Sequence, residues 1–84
     1  MRVFARHDIL TLLTTAINGL VDLPNLASVE MEVESHITFY KISVHKDDIQ
    51  NITGKGEVLH LALEVLANKM AEKAGISIML KLER

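Results

Sequence analysis

Cysteine and tryptophan are absent from this 84-residue chain, proline occurs once and glycine four times. Without cysteine there is no disulfide, no thiolate metal ligand and no thiol nucleophile. A chain of this kind suits a reducing compartment, and the cytoplasm is the expected location. Aromatic residues make up 4% against 49% for all hydrophobic residues, so the core is expected to be aliphatic, with enough apolar surface left over to support self-association. Positive charge is not in excess either. Nine Lys and Arg against eleven Asp and Glu give a formal net charge of -2, the wrong sign for gripping a polyanion by bulk electrostatics, so any nucleic-acid contact has to be local. No long apolar run follows the start Met1-Arg2-Val3-Phe4-Ala5-Arg6-His7-Asp8, which therefore reads as neither a signal peptide nor a membrane anchor. No linker, repeat or low-complexity tract interrupts the chain, and residues 1–84 are expected to form one domain with a modest core.

What is present is a sequence of clear hydrophobic periods. From Asp8, placed as a cap, Ile9, Leu12, Leu13, Ala16, Ile17 and Leu20 recur at helical spacing, and the helix is expected to stop at Asp22 to Leu23, before Pro24. Val29, Met31 and Val33 then alternate with Glu30, Glu32 and Glu34, a strand with its carboxylates on one face. After the polar break Ser35-His36, Ile37 to His45 reads as a second strand paired as a hairpin, with Tyr40, Ile42 and Val44 inward. Ile37 and Phe39 fall on the other face, a candidate contact surface. Asp47-Asp48-Ile49-Gln50 has the capping-box arrangement and opens a short helix that ends before Gly54. Residues 57–74 form a longer helix with Leu59, Leu63, Leu66 and Met70 on its core face, and Gly75 stands where a left-handed cap is expected. Ile76, Ile78, Leu80 and Leu82 alternate in a last strand. The expected fold is α+β, in the order α-β-β-α-α-β, with a three-stranded sheet carrying its helices on one face.

Several residues that carry chemistry elsewhere have ordinary explanations here. The four histidines, His7, His36, His45 and His60, show no i, i+4 pairing, so no metal site is expected. Glu30, Glu32 and Glu34 suit the wet face of a sheet. No Ser-His-Asp set and no phosphate loop of the Walker type is present, so neither an enzyme nor a cofactor is expected.

The run Asp47-Asp48-Ile49-Gln50-Asn51-Ile52-Thr53-Gly54-Lys55-Gly56-Glu57-Val58, with this element order, resembles the type II KH domain. Closer still is the resemblance to the small bacterial single-KH RNA-binding proteins of the KhpA or YlqC-like group, which covers nearly the whole chain. Asp48, Ile49, Ile52, Gly54 and Lys55 fit the group's pattern. Gln50 replaces a usual glycine, Thr53 a usual isoleucine, Glu57 the second glycine of the Gly-x-x-Gly loop and Val58 a usual basic residue. Leu61 and Glu64 also stand where Lys or Arg is common. The resemblance implies a groove between the two central helices, the loop and the adjacent strand that holds about four nucleotides of single-stranded RNA. Carried over position by position, the RNA-binding residues are Lys46, Ile49, Ile52, Thr53, Gly54, Lys55, Gly56, Glu57, Leu61 and Val65.

Two readings follow. In the first, Gly54, Lys55 and Gly56 contact the RNA backbone while Glu57 weakens the grip. A carboxylate 5 to 6 Å from a phosphate costs about 3 kcal/mol at an effective dielectric near 20, before salt screening. In the second, Glu57 is an ordinary first-turn carboxylate, favourable to the helix by roughly 0.3 to 1 kcal/mol. The fold then serves a homodimer or protein partner through Val58, Leu61 and Val65, or through Ile37 and Phe39.

Overall fold

The computed structural model describes residues 3–53 and 58–83. Helix α1 covers Val3–Leu20, strands β1 and β2 cover Ser28–Glu34 and Ile37–Ser43, short helix α2 covers Ile49–Thr53, helix α3 covers Val58–Ala74 and strand β3 covers Ser77–Glu83. Two 3-10 turns, Pro24–Leu26 and Lys46–Asp48, precede β1 and α2. The order is α-β-β-α-α-β and the class is α+β, as the hydrophobic periods require.

Strand β2 lies in the middle of a three-stranded sheet, antiparallel to β1 and parallel to β3. The register sets the inner face in rows: Val29, Ile42 and Leu82; Met31, Tyr40 and Leu80; Val33, Thr38 and Ile78. Thr38, Tyr40, Ile42 and Leu80 of these are buried. Helices α1 and α3 pack on each other and on this sheet, α1 against β1 and α3 against β3. Ile9, Leu13 and Ile17 of α1, one residue in four, complete the core, in which Tyr40 is the largest fully buried side chain. The Ser35-His36 turn of the hairpin holds Ser35 at φ 53, in the left-handed region.

Five expectations need correction. Helix α1 begins at Val3, not at Asp8, which is an exposed residue inside the helix. Its early turns are held from β2: the Tyr40 hydroxyl donates to the Arg6 carbonyl at 2.8 Å, and Arg6 Nε donates to Thr38 Oγ1 at 2.9 Å. Its end comes at Leu20, although Val21 is buried and its N–H still reaches the Ile17 carbonyl at 3.1 Å. Strand β2 stops at Ser43 instead of His45, because His45 caps the turn that follows: its Nδ1 accepts the Asp47 N–H at 3.1 Å. No capping box forms between Asp47 and Gln50.

The fifth correction concerns which side of α3 is buried. Leu63, Ala67 and Ala71 face the core, while Leu66, expected there, is 54% exposed. The buried stripe combines one leucine with two alanines, and the larger Leu66 lies off it. Leu59 lies outside the residues whose side chains are described. Gly75, at φ 73, ends the helix as expected. Its N–H bonds to the Glu72 carbonyl at 3.2 Å and the Ile76 N–H to the Ala71 carbonyl at 3.0 Å, the double closure of a Schellman cap.

Candidate nucleic-acid interface

The residues singled out for RNA contact run from the end of β2, through α2, to the first half of α3. Lys46 is exposed at the head of the 3-10 turn. His45 supports that turn. Its Nδ1 accepts the Asp47 N–H at 3.1 Å, and Asp47 Oδ2 lies 3.5 Å from the same nitrogen.

Asp48 is buried, and its carboxylate joins three segments. Oδ1 accepts the Asp22 N–H at 2.8 Å and the Asn51 side-chain amide at 2.7 Å, and Oδ2 accepts the Leu23 N–H at 3.0 Å. The Asp22 N–H, ahead of the other donors, holds the Asp48 carboxyl below its ordinary range against the opposing effect of burial. This matters for α2, which at five residues is too short to hold itself. The carboxylate fastens its start to the turn after α1, satisfying two backbone N–H groups beyond the last helical residue.

Ile49 is half-buried and Gln50 exposed on α2. Ile52 is fully buried and Thr53 nearly so, with its hydroxyl donated to the Ile49 carbonyl at 3.1 Å. These two support the site from beneath and do not line it. Gly54, Lys55, Gly56 and Glu57 lie outside the described residues. On α3, Leu61 and Val65 stand 54% and 69% exposed at i, i+4 spacing, and exposed Leu66 extends the same arc. Glu64 is half-buried, and the next cation along the helix, Lys69, lies 3.4 Å from Glu72.

Of the proposed contact residues, Lys46, Leu61 and Val65 are exposed and Ile49 is partly covered. Two residues shape the site in ways the sequence pattern does not indicate. Asp48 acts on partners 25 and 26 residues away, which no local pattern reveals. Leu66, placed on the core face by helical spacing, is instead exposed. Ile37 and Phe39, on the outer sheet face, are both half-buried. Among the described residues no helix is long and apolar enough to cross a membrane, and no three His, Asp or Glu side chains converge as a metal set. The chain matches no protein-family model, no curated protein and no solved structure.

Proposed function

We propose that this protein is a KH-like binding module for short single-stranded RNA, with a backbone grip weakened by Glu57. The observation that carries the reading is the exposed pair Leu61 and Val65 on α3, immediately beyond the stretch Gly54-Lys55-Gly56-Glu57. Aliphatic side chains that water would otherwise cover offer a surface for unstacked bases. The element order supports the same reading, since the resemblance implies α-β-β-α-α-β. With Val58, Leu61 and Glu64 at positions that are commonly basic, the positive potential reduces to Lys46 and Lys55. Binding is accordingly weak and base-led, in the cytoplasm.

Titration of the purified protein with a labelled pool of random single-stranded RNA at two salt concentrations tests this. Affinity is expected to fall with salt at a slope near -0.7 per phosphate contacted, and Lys55→Ala is expected to lower both the affinity and the slope. Absence of binding at either salt would reject the reading. A specific observation favours one other. Leu61, Val65 and Leu66 form an outward apolar arc of the kind that protein partners cover, and a protein-interaction module without RNA binding would use it.

A further inference from the structure

Strand β1 is an edge of the sheet: among the described strands it pairs with β2 alone. Its seven residues run in unbroken register and contain no proline, so one side of the strand presents a regular row of backbone donors and acceptors. On the outer face of the same strand stand Glu30, Glu32 and Glu34, all exposed, spaced over about 14 Å. Among the described residues none of the three makes an ion pair, although Lys41 is the cross-strand neighbour of Glu30. The three carboxylates, with Phe39, Lys41 and Lys81, line a groove of about 400 Å³ over the outer face. On the inner face, Val33 at the end of β1 is 50% exposed and so lacks cover from the helices.

These features select the occupant. A second copy adding through its own β1 would set glutamate against glutamate, and β3 of a second copy brings a single cation, Lys81, to that face. Nucleic acid is repelled. We infer that β1 is a docking edge for an extended basic peptide, which adds as a fourth strand with Lys or Arg at alternate positions and aliphatic residues between them. The cations meet Glu30, Glu32 and Glu34, and the intervening aliphatic residues extend the inner face beside Val33. This surface shares no residue with the candidate RNA interface and does not depend on that reading.

A fluorescent heptapeptide alternating lysine and valine, titrated against the full chain by anisotropy, tests the inference. Saturable binding is expected in the micromolar range, falling about tenfold or more in the triple variant Glu30→Gln, Glu32→Gln, Glu34→Gln and left unchanged by Lys55→Ala. Two control peptides separate strand addition from general charge attraction. One has the same composition with its lysines in a block, and the other is N-methylated at alternate residues. Both are expected to bind at least about fivefold more weakly, because register and main-chain hydrogen bonds carry the recognition. Binding should also slow hydrogen exchange at the β1 amides that point away from β2. Equal affinity for all three peptides, unchanged affinity in the glutamine variant, or no binding at about 1 mM would each overturn it.

Discussion

The carboxylate of Asp48 accepts the backbone N–H of Asp22 at 2.8 Å, tying the start of α2 to the turn after α1 across 26 residues. Asp48 is held in its charged form, so its folded-state pKa lies below the ordinary carboxyl value of 3.8. The stability it contributes is present above that ordinary value and is lost as pH falls through the folded-state value. Asp48→Asn should therefore lower the urea midpoint at neutral pH and flatten the loss of stability on acidification below about pH 4. Parallel acid limbs for variant and parent would contradict this.

Tyr40 is buried in the central strand, where its hydroxyl donates to the Arg6 carbonyl. Tyr40→Phe keeps the ring and loses the hydrogen bond, and should cost about 0.5–1.5 kcal/mol in chemical denaturation. Burial pushes the Tyr40 hydroxyl above its ordinary value, with the Arg6 charge opposing. Its contribution is thus complete below pH 10.0 and is lost as pH rises through the folded-state value. The phenylalanine variant should lack that alkaline decline.

Two glycines predict opposite signs for the same substitution. At Gly75, φ 73 is left-handed and nothing lies within 4 Å of an added Cβ, so Gly75→Ala should destabilise through the backbone alone, by about 1–2 kcal/mol. Gly19 sits inside α1 with the same open space, so Gly19→Ala should stabilise by about 0.5–1 kcal/mol. Thermal denaturation of both variants checks the pair.

Leucines on α3 should separate stability from binding. Leu63→Ala removes a core side chain and should cost roughly 2–5 kcal/mol, whereas Leu66→Ser, on the outward arc, should change stability by no more than about 0.5 kcal/mol. Sedimentation of the serine variant beside the parent measures what the arc contributes to self-association.

The fold was legible where one period dominated. Ile9, Leu13 and Ile17 marked the buried stripe of α1, the glutamates of β1 marked the outer face, and Gly75 marked a helix end. Legibility failed where position in the fold outweighed residue type. Helical spacing put Leu66 on the inner face with Leu63 and Met70, but Ala67 and Ala71 are buried there and Leu66 is exposed, because the packing of α3 on α1 and the sheet decides which side turns inward. Asp47 and Gln50 made a local capping pattern, but His45 was nearer the free N–H and Asp48 had partners far along the chain. Of the candidate site, Lys46, Leu61 and Val65 were legible as surface, while Ile52 and Thr53 are covered by packing that no spacing discloses.

The central claim is that Glu57 weakens a backbone grip on single-stranded RNA, and the most direct measurement is the affinity of Glu57→Gly beside the parent at low salt. Removing the carboxylate should tighten binding by at least about tenfold, with about 3 kcal/mol as the upper bound before screening, and the gain should shrink as salt rises. Equal affinity in the two proteins, or no RNA binding by either, would contradict it.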